Sequence, residues 1–422
     1  MRVERAPLTG DPSELAARLR GRTAVRPELR ARVAEIVERV AREGDAMVLA
    51  LTRELDTGGA EPWPLRVDPL QLREAGEALP DGLREALELA AANVRAVALA
   101  AVHADREVEL PQGQRVTLRE LPVRRAAVYV PGGRAPYPST VVMGATAAQV
   151  AGVEEVVVCS PPGPGGDVDP AVLGACAVCG VDEVYRMGGA QAVAALALGT
   201  QGVPRVDLVA GPGNVYVQEA KRQVSHLVGI DSFAGPSELL VLLDGDARLA
   251  ALDLRAQAEH GPESLLVAVS PSGQLLDAVG DELAAAPAES APTCWLLAAP
   301  DLEAALAFAE ALAPEHLQLM GSEAEALAPR VRRAGCVFVG AASGTAFGDY
   351  VAGSNHVLPT GGAARFASAL GPRTFRRTVA EVRIGPAVAR LATAGAAIAR
   401  AEGFALHAES MEARIRENGA DG

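Results

Sequence analysis

Four of the chain's six histidines fall in its last two-fifths, each inside a short polar cluster set in Ala- and Leu-rich sequence. The clusters are Gln257-Ala258-Glu259-His260, Glu315-His316, Gly348-Asp349-Tyr350 followed by Asn355-His356, and Glu402 with His407. Histidine is the commonest metal ligand and the usual proton carrier near neutral pH. Any one of these histidines could be a helix-face or core residue. Four grouped with Gln, Glu and Asp point to one site. Gln257 and His260 lie three apart in a stretch of helical pattern, which puts them on one face. With Asp349, on what reads as a loop after Gly348, and His407, they compose a nitrogen and oxygen ligand set without thiolate. Such a set suits zinc, with manganese or cobalt as substitutes.

Glu315-His316 follows Ala313-Pro314 and places an acid beside a base at the start of an expected strand. Neighbours within a strand point to opposite faces, whereas a loop lets both reach one pocket. The pair suits two different proton transfers, one from an alcohol and one from a water. A capping Glu beside a surface His is the alternative at this point. Cys176-x-x-Cys179 has redox or zinc-knuckle spacing but no second pair, and it lies in an Ala-rich helical run, so it is not read as a site. His103 and His226 belong to no cluster and are expected at the surface.

Three glycine-rich turns stand after expected strands and before helices: Tyr129-Val130-Pro131-Gly132-Gly133, Gly188-Gly189-Ala190-Gln191 and Gly211-Pro212-Gly213-Asn214. Glycines there let backbone N–H groups approach a phosphate at a helix N-terminus. None has the G-x-G-x-x-G form, so each alone is a weak signal; the flanking Tyr129, Gln191 and Asn214 point to a shared nucleotide groove. Of the 39 basic residues only Lys221 is lysine, which singles it out in a chain that otherwise uses arginine.

The elements that must hold these groups follow from pattern. Residues 1–120 read mostly as helices, including Ala31–Leu51 and Leu83–Val102. From about 120, β-branched runs alternate with Ala-rich helical stretches. Ala126–Val130, Glu155–Cys159, Glu183–Tyr185 and Val206–Val209 form one set of strands. Leu239–Leu243, Leu265–Val269, Cys294–Leu297, Leu317–Met320 and Cys336–Val339 form a second. Strand–helix alternation predicts α/β architecture with parallel sheets. The last fifty residues read as helices again, Ala387–Ala401 and Ser410–Glu417.

At 422 residues, two larger lobes with appendages are expected. Aromatics are 3% of the chain, so its cores must be built from Ala, Val and Leu. A net charge of −14 argues against a nucleic-acid or anionic-membrane partner, since both need a basic face. With no apolar run of signal-peptide or membrane-spanning length, and five scattered cysteines, a cytoplasmic location is expected.

Taken together and in order, these strings resemble the histidinol dehydrogenase family. The likeness runs from about Tyr129 to Arg414. Beyond the turns and clusters above, it includes Gly211-Pro212-Gly213-Asn214-Val215-Tyr216-Val217, Gly229-Ile230-Asp231, Ala234-Gly235-Pro236-Ser237-Glu238 and Asn355-His356-Val357-Leu358-Pro359-Thr360. The resemblance implies a four-electron oxidation of L-histidinol to L-histidine through L-histidinaldehyde, the last steps of histidine biosynthesis, with two NAD⁺ consumed in turn. By position, it assigns one Zn²⁺ per subunit to Gln257, His260, Asp349 and His407, orienting the substrate through its imidazole and amino nitrogens. It makes His316 the base for the alcohol proton and Glu315 the activator of water. Ser237, His356 and Glu402 join His316 and the metal ligands as substrate contacts, and Tyr129, Gln191 and Asn214 line the NAD⁺ site.

The family's form is a homodimer of two-lobed, Rossmann-like subunits whose C-terminal tail reaches the partner's site, so Glu402 and His407 would serve the other subunit. The implied division is a helical region at 1–120 belonging to the first lobe, an NAD-binding lobe at 121–236, a lobe with zinc and catalytic residues at 237–370, and a tail at 371–422. Ser368-Ala369-Leu370 and Thr374-Phe375 depart from the family's usual Ser-Gly-Leu and Asp-Phe, and Ala256 stands where Ser is common. Two rival readings are a related NAD-dependent dehydrogenase of another small alcohol, such as a sulfonated diol, and a zinc hydrolase using Glu315.

Overall fold

Both sets of expected strands form parallel sheets in the computed structural model, which describes residues 1–21, 27–61, 63–133, 135–233, 235–285 and 292–418. Ala234, in one of the strings above, lies outside the described residues. The chain divides into two compact units. Met1–Ala101 with Val123–Phe375 form the first; Val102–Pro122 with Arg376–Gly422 form the second.

Within the first unit, a five-stranded sheet runs Glu183–Arg186, Glu155–Ser160, Arg125–Tyr129, Leu208–Ala210, Gly229–Ile230, all parallel. In chain order that is third, second, first, fourth, fifth. A second sheet repeats the same order with Leu239's strand first: Thr293–Ala298, Leu265–Ser270, Glu238–Leu243, His316–Met320, Cys336–Val339. Arg2–Pro7 adds a sixth, parallel strand against Thr293–Ala298. Each order is that of the doubly wound nucleotide-binding fold, 3-2-1-4-5-6, without its sixth strand.

Parallel strands are covered on both faces and therefore read as continuous apolar runs. Glu238–Leu243, sequence ELLVLL, is buried throughout. In the first sheet, Ala127, Val157 and Val209 face the helices Pro27–Glu43 and Asp45–Leu55 through Val33, Ile36, Val48 and Leu51. Val128, Val158 and Val184 face Pro69–Glu77 and Asp81–Ala100 through Leu72, Leu87 and Val94. The helix Gly189–Leu198 has Ala190 to Ala197 buried all round, which small side chains permit where aromatics are scarce. In the second sheet, Leu240, Leu242, Leu317 and Leu319 pack with Leu15, Leu19 and Phe308, while Leu239, Val241 and Leu243 pack with Ala250 and Leu254.

The helical reading of 31–51 divides at Gly44, where φ is +59° and one helix ends before the next begins. Besides the two-residue strand Gly229–Ile230, four strands lie in segments expected to be helical or unassigned, one of them in the tail expected to be helical. Arg2–Pro7 is the first; Arg106–Glu109 and Arg115–Pro122 join Arg376–Arg383 in an antiparallel sheet belonging to the second unit. These are charged, largely half-exposed or exposed strands, so they lack the apolar run that marked the buried ones. The second unit also contains the helices Val388–Ala401 and Ala405–Asn418, joined through Ala396, Ala399, Ala408 and Met411. No helix among the described residues is long and apolar enough to cross a membrane.

Candidate active site

The acid–base pair Glu315–His316 sits at the amino end of one strand, beside the amino end of its neighbour. Glu238 opens one, His316 opens the next, and His316 registers against Leu239. The helix Leu302–Leu312 ends at Ala313, which has φ +44° and is the only non-glycine residue with positive φ among those described. A left-handed alanine is strained, and such strain concentrates at functional sites. Here it turns the chain through Pro314 so that Glu315 precedes the strand. Glu315 therefore escapes strand alternation, and its Oε2 lies 3.4 Å from His316 Nδ1 with both side chains buried.

Glu238 binds this pair with three different atoms. Its N–H donates to Glu315 Oε2 at 2.8 Å, and its Oε2 accepts the Glu315 N–H at 3.2 Å. Its carbonyl oxygen lies 3.0 Å from His316 Nδ1. A carbonyl can only accept, so Nδ1 carries a proton and the neutral ring keeps its lone pair on Nε2. That Nε2 lies 3.9 Å from Asp349 Oδ1. Ser237 Oγ donates to Glu315 Oε2 at 2.7 Å and accepts from Gln257 Nε2 at 2.7 Å.

Burial alone would lower the imidazole's pKa, but the charge and hydrogen bond of Glu315, with Asp349 behind, hold His316 up at about 9. Burial alone would likewise raise Glu315, and the His316 charge reverses it, leaving the carboxylate below its usual range. Glu238 itself is pushed up to about 7, chiefly by burial, while Arg20, 3.8 Å away, opposes the rise.

His356 is half-buried nearby. Its Nδ1–H donates to the Asp349 carbonyl at 2.9 Å, and Nε2 accepts from Thr140 Oγ at 3.1 Å. Burial first, then neighbouring His260, lowers its pKa and favours the neutral ring. Thr140 belongs to the helix Pro138–Ala151 of the first lobe, so this contact ties the two sheets together, as does the Asn355 amide on Met143 O at 3.0 Å.

The three glycine turns meet around Tyr129. The Tyr129 hydroxyl accepts the Gly189 N–H at 3.0 Å, and a Cβ on Gly211 would collide with the Tyr129 carbonyl oxygen. Burial pushes the phenol above its ordinary range. Gln191 donates from Nε2 to Asp56 Oδ2 at 3.3 Å, while its Oε1 is buried with no hydrogen-bond partner. Burial lifts Asp56 to about 7. Asn214 is exposed and caps the helix Val215–Val224, its Oδ1 accepting from the N–H groups of Tyr216 and Val217. The turns thus end at the carboxyl edge of the first sheet, where open α/β sheets take their ligands. An orphaned buried oxygen at Gln191 and an exposed helix N-terminus beyond Asn214 fit a hydroxyl- and phosphate-bearing cofactor.

The expected metal ligands are placed differently from the pattern in two respects. The helix containing Gln257 stops at Ala258, so His260 sits exposed in the turn after it instead of sharing a helical face. Asp349 lies in a short helix, Thr345–Tyr350, and not on a loop. Gln257, Asp349 and His260 all belong to the first unit, around Ser237, His316 and His356. Glu402 and His407 belong to the second, where both are exposed and His407 stacks on Phe404 with ring centroids 5.1 Å apart. Among the described residues, no group of three or more His, Cys, Asp or Glu side chains converges as a metal cluster within the chain. The nitrogen and oxygen donors present, with Gln257 Nε2 already bonded and its oxygen left over, fit zinc chemistry. Cys176 and Cys179 are buried, with thiols pushed upward by burial, Cys179 to about 12. His103 and His226 are exposed.

Sequence reasoning missed Glu238, Asp56, Thr140 and Arg20. Only Glu238 carried a signal: a glutamate opening an otherwise apolar strand must be buried, and buried carboxylates need partners.

A two-lobed α/β enzyme with an acid–base pair at one sheet and nucleotide-type turns at the other is an oxidoreductase architecture. The chain belongs to the histidinol dehydrogenase family, whose model matches residues 19–415. It is 44% identical over 409 residues to histidinol dehydrogenase of Parasynechococcus marenigrum, covering 94% of this chain and 93% of the relative. The corresponding figures for the Symbiobacterium thermophilum enzyme are 42% identity over 410 residues, 94% and 93%. The crystal structure of histidinol dehydrogenase from Elizabethkingia anophelis superposes with a TM-score of 0.90 at 28% identity, covering 99% of both chains.

Proposed function

We propose that the chain oxidises L-histidinol to L-histidine through L-histidinaldehyde, using zinc and two NAD⁺. The observation that carries this reading is His316, whose Nδ1 is tied to the Glu238 carbonyl so that Nε2 is free to take a proton. Zinc on Gln257, His260, Asp349 and His407 would anchor the substrate's imidazole and amino nitrogens, and NAD⁺ would accept a hydride in each oxidation. His316 removes the alcohol proton in the first oxidation. Glu315, held as a carboxylate, removes a proton from the water that attacks the aldehyde carbon before the second. Ser237, His356 and Glu402 join His316 and the metal ligands in holding the substrate; Tyr129, Gln191 and Asn214 form the cofactor site. Tyr129 and Gln191 act from beneath it, since both are buried.

Residues 121–236 are proposed as the cofactor lobe; of residues 1–120, expected to belong to it as a whole, the helices between Pro27 and Ala100 pack on it, whereas Arg2–Pro7 and Leu15 join the second sheet and Val102–Glu120 the second unit. Residues 237–370 are the zinc and catalytic lobe, and 371–422 a tail that serves the second subunit of a homodimer. Exposed Ile398, Phe404 and Leu406 in the second unit support a covered role for that tail. The purified protein with histidinol should yield two NADH per substrate, and chelation should abolish turnover until zinc is restored. One NADH per histidinol would refute the four-electron reading.

A further inference from the structure

We propose that Lys221 and Asp231 are positioning residues for the cofactor turn, gripping both peptide groups of Gly211 so that Asn214 is presented in one orientation. This rests on the reading of Gly211-Pro212-Gly213-Asn214 as cofactor-binding. Lys221, the chain's only lysine, is fully buried on the helix Val215–Val224. Its Nζ donates to the Gly211 carbonyl oxygen at 2.8 Å and forms an ion pair with Asp231. Asp231, directly after the strand Gly229–Ile230, accepts the Gly211 N–H on Oδ2 at 2.8 Å. Gly211 itself follows the strand Leu208–Ala210. Three successive elements therefore converge on one residue.

Gly211 has φ +115°, and a side chain there would strike the Tyr129 carbonyl. Only glycine fits, yet glycine has the least conformational preference of any residue. The clamp supplies what glycine lacks. The Gly211 N–H belongs to the peptide from Ala210 and its C=O to the peptide into Pro212, so holding both fixes φ and ψ together. Downstream, Asn214 spends Oδ1 on its helix cap, leaving Nδ2 for a ligand.

Stability alone does not account for the pair. A buried ion pair is often no more stabilising than apolar side chains of equal volume. An apolar pair could not hydrogen-bond the donor and the acceptor of one residue. Arginine, used at every other basic position, has a planar fork in place of a compact ammonium and cannot serve as a single-point donor between a carboxylate and a carbonyl in an enclosed space.

The test compares Lys221→Met with the double variant Lys221→Met/Asp231→Asn in the full chain, reading thermal midpoint, NAD⁺ affinity by calorimetry and KM for each substrate. Lys221→Met leaves Asp231 buried and unpaired and should lower the midpoint. The double variant removes that charge and should regain most of the loss. Its NAD⁺ affinity should nevertheless stay reduced roughly tenfold, as expected for a lost charge-assisted hydrogen bond, with KM for histidinol unchanged. Recovery of NAD⁺ affinity together with stability would overturn the clamp. Lys221→Arg keeps the charge but not the geometry; it should show the same split and decides the question if the double variant does not fold, parental NAD⁺ affinity again counting against the clamp. Asn214→Ala is measured alongside. Unchanged NAD⁺ affinity in Asn214→Ala refutes the cofactor assignment itself, whereas weakened binding there with parental binding in the Lys221 variants refutes only the clamp.

Discussion

The two lobes share a strand order but use opposite ends of it. The first sheet offers its carboxyl edge, where the turns at Gly189 and Gly211 lead to Asn214 and an exposed helix N-terminus. The second offers its amino edge, where Glu238, Glu315 and His316 present side chains. The difference follows from what each end of a parallel strand can supply. Carboxyl ends lead into helix N-termini, which suit a charged, extended cofactor. Amino ends carry no such dipole, so proton chemistry there must be built from titratable groups, each needing buried partners. On the proposed function, a fold used twice yields a binding edge and a chemical edge.

If that division holds, substitutions at the two edges should fail in different kinetic parameters. The largest effect is expected for His316→Asn, with kcat on histidinol falling on the order of 10²- to 10⁴-fold, the usual worth of a general base, and a smaller loss on histidinaldehyde. Steady-state rates with each substrate decide it; equal losses would merge the two oxidations into one role. Glu315→Gln should block aldehyde oxidation and spare the alcohol step. The same variant should move the pH limb of alcohol oxidation. Glu315 holds the protonated imidazole in place and raises His316 to about 9. Its neutralisation lowers that pKa, so the rise in rate with pH should shift to lower pH. A shift to higher pH would contradict the pairing.

At the other edge, Asn214→Ala should raise KM for NAD⁺ roughly tenfold through loss of a hydrogen bond and a helix cap, without changing KM for histidinol. His407→Asn should lower bound zinc measured by metal analysis, and a variant with full zinc would remove His407 from the ligand set. The smallest effect is expected from Cys176→Ala. It should leave zinc content unchanged and reduce stability by about 1 kcal/mol, as for a small core truncation; zinc loss there would revive the Cys-x-x-Cys spacing as a site.

The buried half of the fold was legible in the sequence because parallel strands covered on both faces must be apolar throughout. Every strand expected from residue 120 to 340 lies within two residues of an observed one at either end. Arg2–Pro7 and Arg115–Pro122 were not legible: their charged side chains remain partly in water, so no burial pattern marks them. In the site, Glu315 and His316 could be named from residue type, since an adjacent acid and base is rare in an Ala-rich context. Asp56 could not, because an aspartate at a helix end looks like any cap until Gln191 is brought against it from 135 residues away.

The sequence alone determined the chemical inventory and the alternation that requires two parallel sheets, because both depend on residue type and short-range period. Tertiary structure decided which atom of each group is free. His316 keeps its lone pair on Nε2 only because the Glu238 carbonyl, 78 residues earlier in the chain, claims Nδ1. Glu315 is held as a carboxylate against its burial by the His316 charge and by hydrogen bonds from His316, the Glu238 N–H and Ser237. Proton affinity and hydrogen-bond direction depend on through-space neighbours and on the exclusion of water, and neither is a property of sequence spacing.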